Sequence, residues 1–336
     1  MALKKRGKQT FILQSKPTIL SVGTVAGKKE WQGHLGEYFD IKMHDALYSQ
    51  ESWEKAERKM MCKAMECALN KANLTENDID LFLAGDLLNQ IVTSSFAARE
   101  FAFPFMGLYG ACSAMTYSLG LSSMLIDGGF ADRIICGASS HFCTAERQYR
   151  FPLEMGGVRP ASAQWTATGA GAVVLGNKAG DICISHVTTG RVIDYGIDDV
   201  NYMGAAMAPA AANTFTSFFE DTNTLPKDFD VIITGDLGKY GSKLLYELMS
   251  KNGYDIESIH TDCGCELYKN DPHVLAGGSG CGCSAIYMSK LLNDIRQGKY
   301  KRVLMASTGA LMSPTTSFQR DTIPSIANAI VLESVK

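Results

Sequence analysis

The sequence predicts an α/β protein built from two similar halves, and three observations carry that prediction. An apolar run closed by Gly-Asp-Leu, "DIDLFLAGDL" from Asp78, returns as "DFDVIITGDL" from Asp228, with five identical positions in ten. A Cys-Ser-Ala opening to a helix-length stretch occurs at Cys112 and again at Cys283. Helix-like and strand-like patterns alternate along both halves, as expected where helices cover a mainly parallel sheet.

The first strong element is "SWEKAERKMMCKAMECALNKAN" from Ser52. Trp53, Ala56, Met60, Ala64 and Ala68 recur every three or four residues with Lys and Glu between them, the pattern of a half-buried helix. "RIICGA", "AVVLG", "ICISHV", "DVIIT" and "RVLMAS" are short runs rich in Val and Ile, as in strands covered on both faces. After each Cys-Ser-Ala a helix-length stretch ends at Asp127-Gly128 or Gln297-Gly298, and Arg133 or Arg302 opens a strand. "GAVVLGN" from Gly171 and "NAIVLES" from Asn328 close the two halves. The order is the same in both, so the joint falls near residue 180: residues 1–180 carry Cys112 and residues 181–336 carry Cys283.

Composition narrows the function. The chain has 336 residues, 46% hydrophobic and 20% charged, enough for a large core. A net charge of −3 excludes a strong nucleic-acid footprint, because phosphate binding needs a basic stripe. The one basic cluster, Lys4, Lys5, Arg6 and Lys8, reads as a solvated tail. No apolar run approaches the roughly 18 residues that span a bilayer, and the first residues lack the apolar core of a signal peptide. The expectation is a cytosolic chain with no transmembrane segment, whose ten cysteines are reduced thiols and whose membrane attachment goes through a partner.

Cys112 has two readings. At the first turn of a helix its thiolate would be stabilised by free N–H groups and the helix dipole, which makes a nucleophile. As a small apolar residue it would instead pack where strand turns into helix. His141 follows a strand end that should open near Cys112, and it is either a hydrogen-bonded structural residue or a donor to a carboxylate. Arg147 and Arg150 suit a planar dicarboxylate through their bidentate forks, or else form ion pairs. Asp86 and Asp236, in the Gly-Asp-Leu repeats, read as helix N-caps, with cation binding as the other use. "CGC" at 263–265 and at 281–283 has the wrong spacing for zinc knuckles, so no metal site is expected. "GCGCSA" fits a dinucleotide fingerprint but lacks the acidic residue at a following strand end.

Two fused halves, each carrying strand, Gly-x-Cys-Ser, helix and strand, resemble the thiolase and ketoacyl-synthase superfamily. That resemblance implies a thiolase-like five-layer αβαβα sandwich with the nucleophile position at Cys112. A closer resemblance, to the stage V sporulation protein AD family of endospore-forming bacteria, rests on "AGDLLNQ", "YGACSA", "DGGFA", "SSHFCTAERQYRFP", "MAPAAANT", "ITGDLGKYGS", "AGGSGCGCSA" and "TGALMSPTT" in order.

The superfamily pairs its Cys with His and Asn, or with similar groups, on loops of the second half. Here the loop after "DVIIT" has no His, and the Gly-rich loop has neither His nor Asn. His260, His273, Cys281 or Cys283 would have to stand in. The resemblance to the sporulation family implies noncatalytic binding of dipicolinic acid (pyridine-2,6-dicarboxylate), alone or as its calcium chelate, serving uptake into the developing spore. No other cofactor is implied. The expected ligand residues are Cys112, Ser113, His141, Met207, Ser279, Cys281 and Cys283. The expected partners are proteins of the same sporulation operon, membrane proteins among them, which would hold the chain on the cytoplasmic face of the forespore or spore inner membrane. A homodimer is implied as well. The competing expectation is a condensing or acyl-transfer enzyme with Cys112 as nucleophile.

Overall fold

A computed structural model describes residues 2–150, 153–178 and 180–335. Phe151 and Pro152, which end the segment "SSHFCTAERQYRFP", lie outside the described residues. Ten strands make the framework. They are β1 (Thr18–Ala26), β2 (Leu81–Gly85), β3 (Phe105–Gly107), β4 (Arg133–Ser140) and β5 (Gly169–Gly176), then β6 (Ile182–Thr188), β7 (Val231–Thr234), β8 (His260–Asp262), β9 (Arg302–Ala310) and β10 (Ser325–Ser334).

Their spatial order is β3-β2-β4-β5-β1 followed by β6-β10-β9-β7-β8. Each strand of the first five therefore occupies the place of the strand five later. The directions repeat too: β2 runs parallel to β3 and β4, as β7 does to β8 and β9, while β5 and β10 are antiparallel to both neighbours. Between β1 and β6 only Thr18 and Cys183 pair, so the two sheets touch at one point and fold over each other.

Six helices fill the layers: α1 (Trp53–Ala72), α2 (Val92–Ala98), α3 (Ala114–Asp127), α4 (Met203–Thr222), α5 (Gly238–Lys251) and α6 (Cys281–Arg296). Helix α1 covers β1 and β5 from outside, and α4, with α5 beside it, covers β9 and β10. Helix α3 touches β4 and also β9 and β10, and α6 crosses to β1, β4 and β5, so these two lie between the sheets. The layers are thus helix, sheet, helix, sheet, helix, the thiolase-like five-layer α/β sandwich expected.

Local chemistry explains the repeated geometry. The Ser52 hydroxyl caps α1 by accepting from the Lys55 amide. Helices α1 and α4 both stop at an asparagine in the left-handed region, Asn73 and Asn223, the residue type that tolerates it best after glycine. Asp80 accepts from the amides of Asp132 and Arg133 and so ties β2 to the start of β4. Asp230 does the same with Lys301 and Arg302 for β7 and β9.

Candidate functional site

One pocket opens where the first-half turn before α3 meets the loops of the second half. It is lined by Cys112, Tyr109 and Ala111 from that turn, by Ala145, Gln148, Tyr149 and Thr166, by Ser279 and Gly280, and by Met203, Ala310, Met312 and Ser313. The space between them is a cleft continuous with solvent. None of the lining side chains is a carboxylate, a histidine or a cation, so the walls are largely apolar and uncharged.

Cys112 does not open α3 itself. It sits in a short helical turn, Ala111–Ser113, just ahead of the helix, whereas Cys283 lies inside the first turn of α6. Ala111 holds φ at +47°, the left-handed region that costs a non-glycine residue on the order of 1 kcal/mol. The Ser113 amide and hydroxyl both donate to the Gly110 carbonyl, at 3.0 and 2.7 Å, and the Asn328 amide donates to Ser113 Oγ at 3.3 Å. Gly309 of β9 lets that turn approach, since a Cβ there would come within 2.1 Å of the Gly110 oxygen. Ser113 therefore supports the turn and does not reach the pocket.

The group facing Cys112 is Asp236. Its carboxylate is buried and accepts from the Thr308 hydroxyl at 2.6 Å and from the Gly280 amide at 3.2 Å, close enough to Cys112 for each group to shift the other's titration. Burial, with Asp262 nearby, pushes the Asp236 carboxyl up to about 7. Burial, and then the Asp236 charge, push the Cys112 thiol well above its ordinary range. This reverses the helix-dipole reading of Cys112: a negative group stands where thiolate formation needs a positive or neutral base, so the thiol keeps its proton.

Asp236 is not a helix N-cap. Asp262 does that work, accepting from the amides of Leu237, Gly238 and Cys265 and from the Thr234 hydroxyl. In the first half Asp86 binds locally, to the Leu88 and Ser94 amides and the Ser94 hydroxyl. Asp236 is bound instead by Thr308 and Gly280, beside Cys112.

The opposite wall is a row of hydroxyls. Tyr149 Oη lies 3.0 Å from Thr166 Oγ1, which in turn lies 3.5 Å from Ser279 Oγ and donates to Glu146 at 3.1 Å. Glu146 is buried and paired with both Arg150 (2.8 Å) and Arg159 (2.5 Å). Two guanidiniums on one carboxylate leave one net positive charge behind the hydroxyl wall. Nη2 of Arg150 is buried with no hydrogen-bond partner among the described residues. Arg147 pairs with Glu54 instead and packs over Trp53.

Of the residues expected at the site, Cys112 and Ser279 line the pocket together. His141 is buried, its Nε2 against the Ala46 carbonyl at 2.8 Å and its Nδ1 accepting from the Cys143 amide, and burial pushes its pKa down. Met207 lies fully buried in α4, one turn past Met203, which is the methionine of that helix that reaches the pocket. Cys281 donates to the Ser139 carbonyl and Cys283 to that of Ser279, both below the surface. His260 is bound between Thr234 and Tyr246 and pushed down to about 3 by burial, and His273 lines a separate groove. Neither histidine stands at Cys112.

All ten cysteines are free thiols. Among the described residues no cluster of three or more His, Cys, Asp or Glu is arranged to hold a metal ion, and no helix is long and apolar enough to cross a membrane. Sequence reasoning missed Tyr149, Thr166 and Met312 as pocket residues and took Asp236 for a cap. The absence of His from "ITGDLGKYGS" was the signal available in the sequence.

The stage V sporulation protein AD family matches residues 7–333. Stage V sporulation protein AD of Bacillus subtilis is 47% identical over 333 residues, covering 98% of each chain. Among solved structures, 3-oxoacyl-(acyl-carrier-protein) synthase III of Aquifex aeolicus has a TM-score of 0.57 at 15% identity, covering 94% of this chain and 99% of its own. A variant of Xanthomonas campestris OleA has a TM-score of 0.63 at 15% identity, covering 98% and 99%. At that identity the solved structures attest the fold alone.

Proposed function

The chain belongs to the stage V sporulation protein AD family, and from that premise we propose that it is a noncatalytic binding protein whose pocket holds dipicolinic acid for delivery to the developing spore. The observation that carries this reading is that Cys112 is buried with the Asp236 carboxyl, and no histidine, beside it. A nucleophile needs a base that accepts the thiol proton, and a carboxyl pushed up only to about 7 is far too weak a base for a thiol pushed well above its normal range.

The pocket suits a flat aromatic dicarboxylate in its other features. Apolar side chains take the ring faces, while the hydroxyls of Tyr149, Thr166 and Ser279 converge on one rim with a net positive charge behind them. The ligand enters as free dipicolinate or as the calcium chelate; in the chelate, calcium takes oxygen ligands and leaves the thiol unused. Calorimetric titration of dipicolinate into the wild type and into Ser279→Ala tests the site. Saturable heat, with affinity reduced about fivefold by loss of one hydroxyl contact, is the expected result. Absence of saturable heat in the wild type would refute the reading.

The same proposal includes a homodimer and membrane-protein partners of the same operon. Strand β3 is a sheet edge, and Phe96, Met106 and Tyr109 near it are exposed, an arrangement suited to strand-to-strand pairing of two copies. Light scattering should give twice the 36.4 kDa chain mass, and a monomer would remove this part.

A further inference from the structure

The basic stretch at the start of the chain is not a loose tail. Lys5–Arg6 pairs antiparallel with Thr10–Phe11, and that second strand lies along β6. Asp221, at the end of α4, accepts from the amides of Lys8, Gln9 and Thr10 at 2.9, 2.9 and 3.0 Å. Lys4 is drawn inward onto the C-terminus of α3, where its Nζ meets the Asp127 carbonyl at 2.5 Å and the Asp127 carboxylate at 2.7 Å. The Ser15 amide also donates to Asp127. Both ends of the hairpin are therefore fastened beside the turn that follows α3.

This anchoring leaves a defined surface. Lys5, Arg6 and Lys8 are exposed, and none of the three forms an ion pair among the described residues. Asp127 is neutralised by Lys4, while Asp221, held by the three hairpin amides, keeps its charge, so Lys5, Arg6 and Lys8 with Asp221 carry two net positive charges. Leu3 is 85% exposed next to the hairpin, and Phe130, at the tip of the Gly128–Gly129 turn after α3, is 81% exposed. Asp132 follows closely but is succeeded by Arg133, so that loop adds no net charge.

We propose that the hairpin Lys5, Arg6 and Lys8, with Leu3 and Phe130 as apolar anchors, is a docking surface for an anionic lipid bilayer. Three cations attract anionic headgroups, and the exposed aromatic and aliphatic tips enter the interface between headgroup and acyl chain. A bilayer interface satisfies both parts of this surface at once, taking the cations at its headgroups and the apolar tips of Leu3 and Phe130 just below them. The 14 residues of α3 separate this surface from Cys112 by about 20 Å along the helix, so a docked molecule keeps its pocket away from the bilayer. The contact is independent of what the pocket binds.

The test is co-sedimentation of the full chain with vesicles of phosphatidylglycerol and phosphatidylcholine, against vesicles of phosphatidylcholine alone. The wild type should partition to the anionic vesicles and be released by salt. The triple variant Lys5→Glu, Arg6→Glu, Lys8→Glu should lose about 100-fold in partition. Phe130→Ser should lose about tenfold at the same salt, from the apolar area withdrawn. Thermal melting confirms that each variant is folded, and should the triple variant melt early, Phe130→Ser and the salt dependence of the wild type decide alone. Wild-type partition that is equal on both vesicles, or unchanged by the charge reversals, overturns the proposal. Undiminished partition of Phe130→Ser overturns it too, and makes the cluster a site for a polyanionic partner.

Discussion

Replacing Asp236 by Asn should make Cys112 react with iodoacetamide at least about tenfold faster near pH 8, since each unit by which a thiol pKa falls raises its thiolate fraction tenfold. The substitution removes the charge that opposes the thiolate, while the amide oxygen still accepts from Thr308. The half-buried thiols Cys62, Cys67, Cys143 and Cys265 are alkylated in both proteins, so the rate is read on the peptide that carries Cys112. The sign of the pH dependence is also set. The folded carboxyl of Asp236 is raised from 3.8 to about 7, so the folded state binds the extra proton between those values. That group therefore loses stability for the fold as pH rises through this window, and Asp236→Asn flattens the loss. An unchanged rate at Cys112 would mean that Asp236 does not govern the thiol.

Substituting Cys112→Asp should abolish dipicolinate binding, with affinity down by about 100-fold or more. A second carboxylate would stand beside Asp236 and face a doubly negative ligand, and like charges roughly 4 Å apart at an effective dielectric near 20 repel by about 4 kcal/mol. Cys112→Ala removes only a small apolar contact from a pocket whose donors lie on the opposite rim, so its effect should stay within about fivefold. Titration calorimetry on the two variants separates them. Equal, undiminished affinity in both would put the ligand elsewhere in the molecule and leave Cys112 as packing.

The duplicated Gly-Asp-Leu and Cys-Ser-Ala segments made the architecture legible, because each marks the passage from strand to helix and the strand order repeats with them. The phase of a buried helix was not legible in the same way. From Met203 to Ala212 every residue of α4 is buried, so no polar face distinguishes Met207 from Met203, one turn away. Asp236 looked like its counterpart Asp86 because sequence shows the repeat but not that Asp262, from the neighbouring strand β8, takes over the local amides. The basic stretch read as a tail because the groups that fasten it, Asp127 and Asp221, are more than a hundred residues away. Tyr149, Thr166 and Met312 come from irregular segments or a very short strand, where periodicity carries no information about direction.

The most direct measurement of the central claim is an intact-mass spectrum of the wild-type chain after incubation with an acyl-coenzyme A, paired with calorimetric titration of dipicolinate into the same preparation. A thiol held protonated by burial and by the charge of Asp236 predicts an unmodified mass together with saturable binding of dipicolinate. A stoichiometric thioester on Cys112 that turns over, with no saturable heat from dipicolinate, would contradict the account and make the chain a condensing or acyl-transfer enzyme.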